Sequence, residues 1–262
     1  MIRALHTGAT GMAAQQLSMD VIANNLANVN TVGFKKSRAD FKDIFYQVIK
    51  GAGSVGEDGS RVPTGIHVGL GVKPSSITRE SSQGALQNSQ NELDLAIEGS
   101  GLFQIERSDG SLVYSRAGNF ILNSEGNIVT VDGSKLYPSV TVPEDAQSIS
   151  IDKLGIISVV RDGYETTEEI GQIELASFIN EAGLLSIGDS FYAKTDASGD
   201  PITGSPRTDQ FGEILQGFVE TSNVEMVDEL TSMILVQRAY EILSKVVQAG
   251  DDMLQVVNQL KR

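Results

Sequence analysis

The chain opens and closes on the same rhythm. Ile2, Leu5, Ala9, Met12, Gln16, Met19, Ala23 and Leu26 are separated by alternating steps of three and four. So are Met226, Glu229, Met233, Val236, Tyr240, Leu243, Val247, Gly250, Leu254 and Val257. Such steps line one face of a helix, the seam of a coiled coil. They predict a helix from about Arg3 to Asn28, roughly 40 Å long at 1.5 Å per residue, and a second one at the C-terminal end. Gly8 and Gly11 are expected only to weaken the first helix, by roughly 1 kcal/mol each relative to alanine. Gly33 suits a left-handed residue in its exit turn. Asn223 is the expected N-cap of the second helix; Ser222, with Glu225 three residues on, would make a capping box instead.

A second apolar stripe on the C-terminal helix, through Val227, Leu230, Ile234 and Val246, is expected beside its seam. Two paired helices bury one stripe apiece, so this stripe calls for a further neighbour. Contacts between unlike surfaces of identical chains generate rings or helical filaments. The competing expectations are an ordinary intramolecular core and a coiled-coil adaptor that binds one foreign partner.

The middle has another period. "ELDLAIE" alternates, with Leu93, Leu95 and Ile97 on one face and Glu92, Asp94 and Glu98 on the other. "LFQIE", "LVYS", "NFIL", "NIVTV" and "ISVV" follow, broken by Asp109-Gly110, Glu125-Gly126, Asp132-Gly133 and Asp162-Gly163. Short runs with such turns predict a β domain with one buried face per sheet. Thr195 to Gly212, rich in Gly, Pro, Ser and Asp, reads as a loop. "FYQVI" and "IHVGLGV" flank a glycine-rich tip from Lys50 to Gly65, an extended hairpin or long loop. The fold class is therefore α+β. Residues 1–30 and 218–262 form a discontinuous helical domain paired as a coiled coil, 31–71 the extended connector, and 72–217 the β domain.

Composition removes several functions. The formal net charge of the 262 residues is -14, which repels phosphate backbones and argues against nucleic-acid binding. Lys35, Lys36 and Arg38 form the one local basic cluster and are expected to be solvated. There is no cysteine, hence no disulfide, thiol nucleophile or thiolate metal site. No run has the length to span a bilayer, so no membrane insertion is expected. His6, Thr7, Gln15 and Gln16 interrupt the N-terminal apolar residues, so no cleaved secretory signal is expected.

Catalytic chemistry is equally hard to place. The two histidines, His6 and His67, lie about sixty residues apart and read as unrelated packing or surface residues. Glu92, Asp94 and Glu98 read as solvated strand carboxylates. "GSG" at Gly99–Gly101 precedes a strand and lacks the helix that a phosphate loop needs. "DASGDP" lacks the glycine and glutamate of a calcium loop. No catalytic, metal or cofactor site is expected.

The residues resemble a family. "TGMAAQQLSMDVIANNLANVNTVGFKKSRADF" is similar to the N-terminal signature of the bacterial flagellar rod and hook axial proteins, and its "NNLANVNT-GFK" core is highly specific. "NELDLAIEGSGLFQI" and "YSRAGNFILNSEGNIVTVDGSKLYP" resemble that family's central β motifs. "QGFVETSNVEMVDELTSMILVQRAYEILSKVVQAGDDML" resembles its C-terminal helix. Length and the Tyr46–Ile66 segment place the chain closest to the family's distal-rod members, with proximal-rod members as the alternative. Leu243 departs from the asparagine usual in the family's "AYE-I-N-S-K".

The resemblance implies a structural subunit of the distal rod, polymerised as a hollow helical tube that carries torque from motor to hook. It implies a place in the basal body within the periplasm, export through the flagellar type III apparatus, and contacts with proximal rod, hook and bushing-ring proteins. The expected helical interface comprises Leu5, Met12, Met19, Asn24, Asn25, Leu26, Asn28, Met233, Val236, Tyr240, Leu243, Val247, Leu254 and Val257. The expected rod-stiffening loop comprises Lys50, Val55, Glu57, Asp58, Arg61 and Pro63. Asparagines are poor helix formers, and Asn24, Asn25, Asn28 and Asn30 crowd one helix end. Asn28 and Asn30 suit the last turn; Asn24 and Asn25 are expected to reach across to a neighbouring helix or loop and fix register.

Overall fold

The computed structural model describes residues 2–53, 63–143, 145–161, 167–208 and 210–260. The chain is α+β and divides into two compact units. One comprises Met1–Leu26, Ser37–Thr78 and Glu225–Arg262; the other comprises Ala27–Lys36 and Arg79–Val224.

In the first unit, helix α1 runs Ile2–Ala27, close to the expected span. Strands β1 (Ser37–Asp43), β2 (Tyr46–Lys50), β3 (Ile66–Gly69) and β4 (Val72–Arg79) follow. β1 pairs with β4, and β2 with β3 as an antiparallel ribbon. Its tip, with Val55, Glu57, Asp58 and Arg61, lies outside the described residues. On one face of the ribbon Tyr46 lies over Gly69, its partner in register. An aromatic laid over a strand glycine covers backbone that no side chain of its own protects. Helix α2 completes the unit and runs Met226–Leu260.

The start of α2 differs from expectation. Asn223 does not cap it: its amide is spent on the backbone of Lys36, Glu80 and Ser82. Ser222 accepts instead from Val224 N–H. Three tertiary hydrogen bonds outcompete the single one that a cap would supply.

The second unit carries β5 (Leu86–Asn88), β6 (Leu95–Glu98), β7 (Leu102–Glu106), β8 (Leu112–Ser115), β9 (Phe120–Leu122), β10 (Ile128–Thr130), β11 (Lys135–Tyr137), β12 (Ala146–Ile151) and β13 (Ile156–Arg161). β14 (Thr167–Gln172), β15 (Leu175–Ser177), β16 (Leu185–Gly188), β17 (Phe191–Ala193), β18 (Ile202–Gly204), β19 (Glu213–Gln216) and β20 (Phe218–Glu220) complete it. The main sheet runs β16-β17-β8-β7-β11-β10-β9. It forks at β7, which pairs with β15 through Leu102 and Phe103 and with β11 through Gln104 to Glu106. β18 then pairs with β15, a strand inside the stretch expected to be loop. β12, β13 and β14 form a separate sheet, and β6–β19 and β5–β20 form pairs.

The expected turns at Gly110, Gly126 and Gly133 all carry positive φ; Asp162-Gly163 lies outside the described residues. The main core gathers Leu95, Ile97, Phe103, Phe120, Ile157 and Leu175, with Phe103 and Phe120 edge to face at 5.3 Å. A smaller cluster around Tyr114, Phe178 and Tyr192 covers the other face. β6 departs from the alternating expectation: Leu95, Ala96 and Ile97 are all buried. Alanine is small enough to be buried without an apolar stripe announcing it, so the pattern showed only one face.

Candidate assembly interface

Both terminal helices belong to one unit, and they meet through glycine. A Cβ added at Gly8 would stand 2.9 Å from Val247 Cγ2, one at Gly11 3.0 Å from Leu243 Cδ1, and one at Gly250 2.8 Å from Leu5 Cδ2. As the α1 position advances the α2 position recedes, so the helices run antiparallel. Each helix sets large side chains on the other's glycines, which lets the backbones approach closely.

This rotates the packed face of α1 away from the expected seam. Leu5, Met12, Met19 and Leu26 are half-buried, while Ile2, Ala9, Gln16 and Ala23 are exposed. Gly8, Ala14, Val21 and Asn25 are the fully buried positions. Large residues mark a seam when large residues pack on each other; here the small ones make the contact.

On α2, Met233, Val236, Leu243, Val247 and Leu254 are half-buried and Tyr240 is exposed; the side chain of Val257 lies outside the described ones. The second stripe is not beside the first. At about 100° per residue, Val227, Leu230 and Ile234 lie on the far side of the helix from Val236 and Val247. With Leu235, Ile242, Val246, Met253 and Val256 they leave the far side apolar and exposed along the helix.

The asparagines settle differently. Asn25 is 2% exposed. Its Oδ1 accepts from Ser37 N–H at 2.9 Å and its Nδ2 donates to Ser37 C=O at 2.8 Å. The amide thus copies a β pair and is spent inside the chain. Asn28 accepts from Thr31 Oγ1, and Asn24 is exposed. Lys50 and Pro63 are exposed at either side of the ribbon tip. Phe45, Tyr46, Val48, Ile49 and Ile66 are also exposed there.

Of the basic cluster, Lys35 is not solvated as expected, while Arg38 stays exposed. Lys35 is 7% exposed and donates to Glu220 at 2.6 Å and to Ser82 C=O at 2.7 Å. Arg116 meets the other oxygen of Glu220 and donates to the carbonyls of Ile97, Gly99 and Gly101. The Gly99–Gly101 loop, with φ of +112° and +131° at its glycines, turns carbonyls onto a cation, the reverse of a phosphate cradle. Burial alone would raise the Glu220 carboxyl, but Arg116, Lys35 and the Gly84 N–H hold it below its ordinary range. Lys35, a second cation on one carboxylate, is lowered by burial. Lys36 and Arg38 pair with Glu80 and Asp40. Neither buried cation carried a sequence signal beyond its place in a motif.

Among the described residues the candidate groups do not converge. Among the described residues no three of His, Cys, Asp and Glu are grouped to hold a metal, and no helix is long and apolar enough to cross a membrane. His6 faces Leu70 C=O; Glu92 accepts from Ile149 N–H; Asp94 accepts from Asn91. A cavity of about 340 Å³ is lined by Lys35, Arg79, Arg116, Glu181 and Tyr192, but the two innermost cations are already engaged by Glu220.

Three family models match the chain. Residues 5–35 match the flagella basal body rod protein, 96–159 the flagellar hook protein FlgE/F/G D1 domain, and 215–260 the flagellar basal body rod FlgEFG protein C-terminal region. The flagellar basal-body rod protein FlgG of Caulobacter vibrioides is 48% identical over 261 residues, covering 99% of this chain and 100% of that protein. The FlgG proteins of Borreliella burgdorferi and Bacillus subtilis are 44% and 40% identical, each over 100% of both chains. The matched segments take in α1 with its exit, the strands from β6 to β13, and α2. With full-length relatives at this identity, the chain belongs to the family of flagellar basal-body rod proteins.

Proposed function

We propose that the chain is a non-enzymatic structural subunit of the distal rod, and that identical copies assemble into a hollow helical tube that carries torque from motor to hook. The observation that carries this reading is the far face of α2. One side of the helix packs on α1, while the other offers exposed apolar side chains along its length, with no cover from the described residues of its own chain. Buried apolar area is worth roughly 25 cal/mol per Å², and a helix of a neighbouring copy is the natural cover. The exposed β2–β3 ribbon supports the same reading, because a two-stranded ribbon is marginal alone. Its proposed role is to add the contacts between copies that stiffen the rod. We further assign the subunit to the periplasmic part of the basal body, reached through the flagellar type III apparatus, with proximal rod, hook and bushing-ring proteins as neighbours.

Electron microscopy of the concentrated purified protein is the direct test. Tubes are expected; persistent monodisperse particles would count against assembly.

Within each subunit the terminal helices are proposed to stay paired as an antiparallel coiled coil. The absence of native cysteine makes this clean to check. The pair Gly8→Cys with Val247→Cys is expected to oxidise to a disulfide, given the 2.9 Å approach of a Gly8 Cβ to Val247. The pair Gly8→Cys with Val246→Cys is expected not to. Equal cross-linking of both pairs would refute the register.

A further inference from the structure

The chain passes between the two units at four places: after Leu26, after Lys36, after Thr78 and after Val224. Three of these passages are tied down inside the β-rich unit by two side chains, Glu220 and Asn223. Asn223 Oδ1 accepts from Lys36 N–H at 2.7 Å, and its Nδ2 donates to Glu80 C=O at 3.0 Å and Ser82 C=O at 3.1 Å. Glu220, with its side chain 0% exposed, accepts from Lys35 Nζ and, at 2.9 Å, from Gly84 N–H. Main-chain bonds complete the knot. Gly33 N–H donates to Glu220 C=O at 2.8 Å, Glu80 N–H to Lys36 C=O at 2.9 Å, and Thr221 N–H to Ala85 C=O at 2.9 Å.

Stability alone is a poor reason for such a site. A buried ion group can often be exchanged for apolar residues of similar volume at no loss, because desolvation offsets the attraction. The apolar core of the unit is built from other residues. What a directed polar cluster adds is geometry: each bond fixes one strand at one point and one angle. Here the fixed points fall within a few residues of where the chain leaves the unit.

We propose that Glu220 and Asn223 are positioning residues for torque transfer. They fasten the entering and leaving main chain to the β-rich unit, so that a twist applied to that unit is passed on through anchored chain and not through slack linkers. The inference rests on the reading of the chain as a torque-carrying rod subunit.

The test uses the full-length chain in the strain that encodes it. Asn223→Ala is expected to raise amide exchange on the order of tenfold at Lys36, whose N–H donates to Asn223, and less at Glu80, whose N–H donates to Lys36 C=O. The thermal midpoint of the β-rich unit should shift by no more than about 4 °C. Asn223→Asp keeps the acceptor for Lys36 N–H but loses the donors to the carbonyls of Glu80 and Ser82, and is expected to recover the Lys36 protection. In cells, Asn223→Ala should leave rods assembled and swimming normal in dilute medium, with loss of speed confined to viscous medium, where load is high. Unchanged exchange at these amides, or a uniform loss of protection through the unit, overturns the inference. So does local loosening with swimming equal to wild type at every viscosity. Should Asn223→Ala fail to fold, Asn223→Asp, which keeps the acceptor for Lys36 N–H, takes the midpoint and swimming readouts. A deletion strain that remains fully motile defeats the rod reading itself, and the inference with it.

Discussion

Replacing Arg116 with alanine is expected to lower the stability of the β-rich unit by about 3–5 kcal/mol, the usual loss when one member of a buried ion group is removed. The guanidinium is 5% exposed and engages Glu220 together with the carbonyls of Ile97, Gly99 and Gly101. Truncation takes the donor from those acceptors and leaves the carboxylate with Lys35 as its one remaining cation among the described residues. Urea unfolding followed by far-ultraviolet circular dichroism measures the loss, and a change below about 1 kcal/mol would contradict the buried network.

The same site has a pH signature. The Glu220 carboxyl is held below its ordinary range, so its contribution is fully present above the unfolded-state value and fades as pH falls through the folded one. Glu220→Gln should therefore show a constant deficit against wild type from neutrality down to about pH 4, and the deficit should close at lower pH. A deficit that stays constant through the acid range would mean that folding does not shift the Glu220 carboxyl at all.

Gly33→Ala should be almost as damaging, at about 2–4 kcal/mol, because the left-handed conformation alone costs an L-residue roughly 1–2 kcal/mol. Gly33 has φ +67°, and a Cβ there would stand 2.5 Å from Ala117 N and 2.7 Å from Arg116 C, both backbone atoms. Backbone packed on both sides cannot yield as a side-chain tip does. Gly11→Ala offers the contrast. Its Cβ would meet the tip of Leu243 at 3.0 Å, and alanine recovers about 1 kcal/mol of helix propensity. The Gly11 variant is expected to unfold within a few degrees of wild type, and the Gly33 variant well below it. Similar midpoints for the two would refute the distinction.

These residues also mark how far the sequence could be read. Gly33 was legible, since a glycine just past a helical pattern has a known left-handed role. Gly8 and Gly11 were legible only as a cost, because a glycine inside a helix acquires a purpose when the opposing side chain is known. Lys35 was misread as solvated. Nothing local distinguishes a lysine that snorkels to water from one that meets a carboxylate 185 positions away. Asn25 was read as reaching across to a neighbouring helix or loop; that its partner is the backbone of Ser37 follows only once the chain has turned back.

Period and punctuation are local properties, carried by neighbours within a few residues. They determined by themselves that this chain has helical ends and a β-rich middle, that turns fall at Gly110, Gly126 and Gly133, and that α2 carries more apolar surface than one partner covers. Which face of α1 meets α2, which side of α2 stays open, and which charges are buried depend on side chains brought together from opposite ends of the sequence. Only the tertiary structure decided those, because packing distance and desolvation are set by what lies across the contact and not by what lies alongside in the chain.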